Sequence, residues 1–198
     1  MTKETEAVIL SAARTPVGKF QGALSSVPAT QLGAIAVKAA VERAGINADE
    51  IEEVIMGNVV QAGEGQAPAR QSGILGGVPA TVSATTINKV CGSGLKAAMM
   101  ASQAIRAGDA SLFVAGGFES VSRAPYLVTG RSGELKFGGQ PLTDALLKDG
   151  LWDPFENWSM GNAAEFIADE YEVTREAMDN FALRSHGKAV EAQAAGRF

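Results

Sequence analysis

The chain has 198 residues, of which 46% are hydrophobic and 20% are charged, as is ordinary for one sizeable globular domain with or without a subdomain. A net charge of −5 without any Lys/Arg cluster argues against nucleic acid, and no apolar run is long enough to cross a bilayer. The polar N-terminus is unlike a signal or transit peptide, and a single cysteine cannot form an internal disulfide, so we expect a cytoplasmic location. One cysteine and one histidine, far apart, also predict no metal site.

Short apolar runs alternate with helical patterns along the first part, which predicts an α/β fold with crossover helices. The predicted strands cover residues 8–12, 53–58, 81–87 and 112–115. The predicted helices cover residues 29–44 and 68–75, and a long helix follows the segment around Cys91 and runs to about residue 107. Gly45 is expected to end the first helix in the left-handed conformation, and Asn47 with Glu50 forms a capping pair.

The pattern changes after Gly116. Residues 117–160 carry scattered Gly, Pro and aromatic residues without a sustained period, which is typical of a loop-rich excursion. A final helix is predicted over residues 175–195, with Thr174 as N-cap and Gly196 as stop. We therefore expect a core unit over 1–118 and an incomplete subdomain over 119–198. Because no closing strand follows the last helix, the chain also has the character of an incomplete fold.

Cys91 lies where a strand, a tight turn and a helix follow one another within a few residues. Gly92 and Gly94 leave room for a substrate to approach the backbone. The N–H groups and dipole of a helix N-terminus favour the thiolate, which is the nucleophilic form, and could stabilise an oxyanion. A small buried hydrophobic residue is an equally good interpretation of a single cysteine. A phosphate-binding loop is a third, although the segment fits neither known glycine fingerprint. Position alone leaves the role of Cys91 open.

Several segments in chain order resemble one known family. The segment around Cys91 reads NKVCGSGLKA at 88–97. Others are SAARTPVGKF at 11–20, MGNVVQAG at 56–63, QAPARQ at 66–71 and AGGFES at 115–120, followed by matches at 122–126, 160–165, 174–176 and 181–185. Together they cover nearly the whole chain and resemble the N-terminal half of the thiolase family, with acetyl-CoA acetyltransferases as the most similar type.

The resemblance implies a layered α/β fold, with a mixed sheet, a core unit and part of a loop subdomain. It implies that Cys91 attacks acetyl-CoA or a 3-oxoacyl-CoA, carries the acyl group, and contributes its backbone N–H to an oxyanion hole. Leu151 and Met160 would line the substrate pocket, with plain core packing as the alternative for both. Ser159 would line it too, at a position where many acetoacetyl-CoA thiolases have histidine. Coenzyme A thioesters are the implied substrates, with no permanently bound cofactor.

The family's catalytic histidine and second cysteine belong to a C-terminal half that these residues do not include. His186, the only histidine, is interpreted as a solvated helix residue without a catalytic role. We therefore expect activity only with a C-terminal partner or as part of a longer polypeptide. The loop 131–139 resembles the region by which thiolases form tetramers, with an ordinary surface loop as the alternative, so a homodimer or homotetramer is expected.

Three functions remain in competition. The first is condensation of two acetyl-CoA to acetoacetyl-CoA, or the reverse thiolysis. The second is a degradative 3-ketoacyl-CoA thiolase of fatty-acid β-oxidation, which Ser159 leaves open. The third is a non-catalytic acyl-CoA- or lipid-binding relative or an inactive fragment, which the intact cysteine segment argues against.

Overall fold

The protein is described by a computed structural model that covers residues 5–128, 130 and 137–197. The described residues form two compact units, divided between Gly150 and Leu151. The sequence-based boundary at residue 118 refers to the family's loop subdomain and stays a prediction. The loop 131–139 lies largely outside the described residues.

The first unit contains a parallel sheet flanked by helices. Its main elements are α1 (Ala29–Ala44), β1 (Glu53–Gly57), α2 (Pro68–Leu75), β2 (Ser83–Ile87), α3 (Ser93–Ala107) and β3 (Phe113–Gly117). Short 3-10 turns cover Ala48–Glu50 and Val121–Arg123, and β4 (Tyr126–Leu127) pairs antiparallel with β5 (Thr143–Asp144). A π-helical turn, Leu147–Leu151, reaches the unit boundary. The α/β class predicted from the sequence is confirmed.

The sheet has the order β2-β1-β3, with all three strands parallel. Each strand is joined to the next by a helix, because parallel neighbours need a crossover connection. The side chains of β1 alternate between the faces: Val54 and Met56 join one apolar cluster, and Ile55 joins another. All three are buried, as expected for a central strand covered on both faces.

Helices cover the two faces of the sheet. The helices α1 and α2 pack together and contribute to the cluster that contains Val54, with Val37, Ala69 and Phe118 among its members. The helix α3 packs on β1 and β3 and contributes Ala97 and Ala101 to the cluster of Ile55. The first unit therefore has a helix–sheet–helix arrangement that holds the ends of the strands in register.

Local signals in the sequence set several helix ends. Gly45 has φ +65° and its N–H bonds to the Glu42 carbonyl, so α1 ends in the left-handed conformation as predicted. The predicted pairing of Asn47 with Glu50 forms a complete capping box. These predictions are confirmed because each depends on neighbouring residues alone.

The strand predicted at residues 8–12 is wrong for the described structure, in which residues 5–19 form no strand. Val8, Ile9 and Leu10 are instead 67%, 88% and 57% exposed. The segment is attached to α1 by side-chain bonds, from Ser11 Oγ to the Ala40 carbonyl (2.6 Å) and from Arg43 to the Ala12 carbonyl (2.9 Å). A β-prone run becomes a strand only where a neighbouring strand pairs with it.

The second unit is built from a short hairpin and two helices. Its elements are β6 (Trp152–Asp153), β7 (Trp158–Ser159), α4 (Met160–Glu170) and α5 (Arg175–Ala194). The predicted N-cap of α5 is confirmed, since Thr174 Oγ1 accepts a bond from the Ala177 N–H at 3.2 Å. Of the helices in the described part of the chain, none has the length and apolar character needed to cross a membrane.

Candidate active site

The carboxyl ends of the three parallel strands meet at one edge of the sheet. Gly57 of β1 lies beside Ile87 of β2 on one side and Gly117 of β3 on the other. The segments that follow these strands therefore converge, and that edge is where open α/β sheets bind ligands. The segment after β2 is the one that carries Cys91.

The segment from Asn88 to Ser93, here called the nucleophile turn, joins β2 to α3. Two backbone bonds close it, from Gly92 N–H to the Lys89 carbonyl (3.0 Å) and from Ser93 N–H to the Val90 carbonyl (3.1 Å). Cys91 is a free, exposed thiol directly before Gly92, the N-cap of α3. Exposure contradicts the alternative in which this cysteine is a small buried core residue. An exposed thiol just before a helix N-terminus is accessible to an electrophile and lies near the positive end of the helix dipole.

Glycines let α3 approach the strand ends closely. A Cβ placed on Gly57 would lie 2.5 Å from Ser93 Cβ and 2.8 Å from Gly94 N. A Cβ placed on Gly117 would lie 3.2 Å from Gly94 Cα. The absence of side chains at these strand ends therefore sets the position of the helix that presents the nucleophile turn.

Glu119, just beyond β3, binds the segment that follows β1. Its carboxylate accepts hydrogen bonds from the Asn58 side chain (3.0 Å), the Val59 N–H (2.8 Å) and the Val60 N–H (3.3 Å). Burial raises the pKa of Glu119, and the bonds from Val59 and Val60 partly offset this. The Val59 carbonyl in turn accepts a long bond (3.4 Å) from the Asn88 side chain. All three strand ends are thus connected by polar contacts.

Glu64 is a second carboxyl group with altered acidity in this region. Its pKa is raised first by burial and then by the neighbouring charge of Glu119, while Arg123 acts in the opposite direction. Asn58 is almost fully buried, and its Oδ1 has no hydrogen-bond partner among the described residues. The edge is therefore polar beneath its surface, with two partly buried carboxyls and an unsatisfied amide oxygen.

One cavity in the described residues is bordered by Glu119. It has a volume of about 300 Å³ and is lined by residues 14–20, 24, 25, 32 and 117–122. Cys91 does not line it. The cavity therefore gives no reason to place a substrate of the cysteine there.

The predicted pocket residues Leu151, Ser159 and Met160 lie together in the second unit. Trp152 pairs with Ser159 across the hairpin, so Leu151 and Met160 flank the same end of it. Ser159 is the N-cap of α4, and its hydroxyl lies 2.7 Å from Asn162 Oδ1. Leu151 and Met160 are each 41% exposed, which argues against plain core packing for either. Their pocket role stays a prediction.

His186 lies on α5, also in the second unit, where its Nδ1 is 2.8 Å from the Ala182 carbonyl of the same helix. A side chain that bonds to its own helix has a sufficient structural role. Within residues 5–128, 130 and 137–197, no three side chains of His, Cys, Asp or Glu are grouped so as to hold a metal ion.

Sequence reasoning selected Cys91 but gave no role to Asn58, Asn88, Ser93 or Glu119. A usable signal was present, since Asn58 and Glu119 each follow a strand closely at its carboxyl end. Their contact joins residues 61 positions apart, which no local pattern reveals.

Comparison with known proteins identifies the family of this chain. The profile of the family described as "Thiolase, N-terminal domain" matches residues 7–198. The chain is 54% identical to the acetyl-CoA acetyltransferase of Cupriavidus necator and 50% identical to the mitochondrial acetyl-CoA acetyltransferase of Bos taurus. Each alignment covers 98% of this chain but only 49% and 45% of those relatives, so the chain spans about half their length. The crystal structure of the Acat5 thiolase from Ascaris suum in complex with coenzyme A superposes with a TM-score of 0.92, at 44% identity over 98% of this chain and 50% of that one. The chain belongs to the thiolase family.

Proposed function

We propose that this chain is the nucleophile-bearing half of an acetyl-CoA acetyltransferase. The observation that carries the proposal is the exposed Cys91 just before the N-terminus of α3. It lies in a chain that is 54% identical, over the aligned residues, to a protein named acetyl-CoA acetyltransferase. The substrates are acetyl-CoA and acetoacetyl-CoA, and the coenzyme A bound to the Ascaris thiolase supports a thioester of that cofactor. Coenzyme A acts as a substrate, with no permanently bound cofactor.

The first chemical step forms an acetyl-cysteine. The sulfur of Cys91 attacks the carbonyl carbon of acetyl-CoA, a new carbon–sulfur bond forms, and the bond to the coenzyme A sulfur breaks. The departing coenzyme A takes the proton that the cysteine thiol gives up. One thioester is exchanged for another, so no oxidant or reductant is needed. Negative charge on the carbonyl oxygen during the attack is stabilised by N–H groups, among them that of Cys91.

The second step transfers the acetyl group to carbon. The α-carbon of a second acetyl-CoA loses a proton and attacks the acetyl-cysteine, giving acetoacetyl-CoA and returning a proton to the Cys91 sulfur. By family resemblance, the histidine and second cysteine that move these protons belong to the C-terminal half. His186 supplies neither role. The chain therefore acts with that half, which is supported by the relatives being about twice as long.

Mass spectrometry of the complete protein after mixing with acetyl-CoA tests this proposal. We expect an acetyl adduct on the peptide that contains Cys91, and its loss in Cys91→Ser. His186→Ala is the matched control and keeps the adduct, because His186 has no part in the reaction. Absence of the adduct from the wild-type protein would leave a non-catalytic acyl-CoA-binding protein as the better interpretation. Thiolysis of acetoacetyl-CoA by this chain alone would refute the need for a C-terminal half.

A rate comparison separates the acetoacetyl-CoA type from a degradative thiolase. We expect faster thiolysis of acetoacetyl-CoA than of a long 3-oxoacyl-CoA. The reverse order would favour the degradative thiolase of fatty-acid β-oxidation, which Ser159 leaves open.

We further propose that the complete protein is a homo-oligomer. Elution of the complete protein as a stable monomer in gel filtration would contradict this. A cytoplasmic location is also a proposal. The bovine relative is mitochondrial by name, so localisation of a tagged protein is the test.

A further inference from the structure

The backbone next to Cys91 is held in an unfavourable conformation. Val90 has φ +46°, in the left-handed region. Five non-glycine residues in the described part of the chain have positive φ, and Val90 is the only β-branched one among them. A β-branched residue rarely adopts this conformation, since its side chain crowds the backbone. Neighbouring contacts must therefore hold Val90 in place.

Asn88 and Ser93 provide these contacts. Asn88 Oδ1 accepts a bond from the Val90 N–H at 2.9 Å. The Ser93 hydroxyl donates to the Val90 carbonyl at 2.6 Å and accepts from the Lys89 N–H at 2.8 Å. The peptide groups on both sides of Val90 are thus bonded, which fixes its φ and its ψ. Ser93 is only 5% exposed and lies against Gly57, so its hydroxyl is itself well positioned.

The carbonyl bonded by Ser93 belongs to the peptide between Val90 and Cys91. In a trans peptide the N–H points opposite to the C=O, and the described residues contain no cis peptide. Holding the Val90 carbonyl therefore also sets the direction of the Cys91 N–H. The same constraint sets where the Cys91 side chain leaves the turn.

We propose that Asn88 and Ser93 are positioning residues for Cys91, which hold the strained Val90 so that the Cys91 sulfur and N–H meet a thioester carbonyl together. This inference rests on the proposed function, because it assumes that a thioester is the electrophile. It adds two residues that act through the backbone of the nucleophile turn without touching the substrate.

The test compares variants of the complete protein in Cys91 acetylation by acetyl-CoA, read by peptide mapping. We expect Ser93→Ala to lower the maximal acetylation rate about tenfold to a hundredfold with little change in the half-saturating acetyl-CoA concentration, because orientation is lost and binding is not. Ser72→Ala is the matched control. Its buried hydroxyl also donates to a carbonyl, that of Thr30 at 3.0 Å, but far from the turn in sequence, and the rate should stay within about twofold.

Two further comparisons separate positioning from general stability. In a Val90→Gly background, Ser93→Ala should cause a smaller loss, because glycine needs no restraint at positive φ. Asn88→Asp, which keeps the acceptor, should retain more activity than Asn88→Ala. Asn88 is exposed, so these two variants test the same constraint even if Ser93→Ala does not fold.

Alkylation of Cys91 by iodoacetamide distinguishes failure of the proposed function from failure of the positioning role. If the wild-type protein is not acetylated but Ser93→Ala slows alkylation, the proposed function fails, while positioning of the Cys91 sulfur by Ser93 stands. If the wild-type protein is acetylated and both Ser93→Ala and Asn88→Ala match its rate, the positioning role is overturned. Equal losses from Ser93→Ala with Val90 or with Gly at position 90 would also overturn it.

Discussion

Adding a single methyl group at Gly57 should displace the helix that presents Cys91. The new Cβ would lie 2.5 Å from Ser93 Cβ, 2.6 Å from the Ser93 carbonyl carbon and 2.8 Å from Gly94 N. Ordinary contact begins at 3.4 Å, so the start of α3 must move by close to an ångström. Two of these three atoms are backbone, and a change of side-chain rotamer cannot relieve the contact.

The size of the effect follows from the cost of overpacking. Forcing extra atoms into a packed site costs about 1–3 kcal/mol of unfolding free energy. For a chain of this length, each kcal/mol lowers Tm by about 2–4 °C, so Gly57→Ala should lower it by about 2–12 °C. Cys91 acetylation should fall as well, because the nucleophile turn leads directly into the displaced helix. A misplacement of one ångström costs about a hundredfold in rate.

Thermal denaturation followed by circular dichroism, with acetylation measured by peptide mapping, provides the assay. Gly116→Ala is the matched control, because it adds the same methyl group to the neighbouring strand. There the Cβ would lie 3.5 Å from Met56 Sδ, an ordinary contact, and we expect a smaller change in Tm. If Gly57→Ala matches the wild-type protein in both Tm and acetylation rate, close approach of α3 to β1 does not position the cysteine.

Two further predictions concern carboxyl groups that affect stability with opposite signs. Burial raises the pKa of Glu119 above 4.5 in the folded protein, so its contribution to stability declines as pH rises from 4.5 through the raised value. Glu119→Gln should flatten this decline in the free energy of unfolding, measured by urea denaturation between about pH 4 and pH 7. An unchanged profile would contradict the role of Glu119 in the decline. Glu52 accepts hydrogen bonds from the Ser111 N–H and hydroxyl and from the Leu112 N–H. These bonds lower the pKa of Glu52 from 4.5. The contribution of Glu52 to folding stability is therefore present above pH 4.5 and is lost as the pH falls below it. Glu52→Gln should weaken this loss of stability at low pH in the same urea titration. An equally steep loss in the variant would show that these bonds do not contribute to the pH dependence of stability.

Local physics explains what could be predicted from the sequence alone. The end of α1 at Gly45, the capping pair Asn47–Glu50 and the N-cap Thr174 each depend on residues within one turn, so composition and spacing suffice. The α/β class could be predicted as well, because each strand and helix is indicated by its own local run of residues and the two kinds alternate. Cys91 was selected by its place between a strand and a helix, and family resemblance then assigned its reaction.

Tertiary structure decided whatever depends on a distant neighbour. Residues 8–12 have the composition of a strand, yet the described residues offer them no pairing partner. Glu119 acquires its role only because β3 lies beside β1, which brings its carboxylate to the Val59 N–H 60 positions earlier in the chain. Gly57 appears in the sequence as an unremarkable strand residue, and only packing shows that the absence of its side chain admits α3. The sequence by itself determined that Cys91 lies between a strand and a helix. How Cys91 is held there was decided by contacts across the sheet edge, because hydrogen bonds and steric limits act between atoms that only folding brings together.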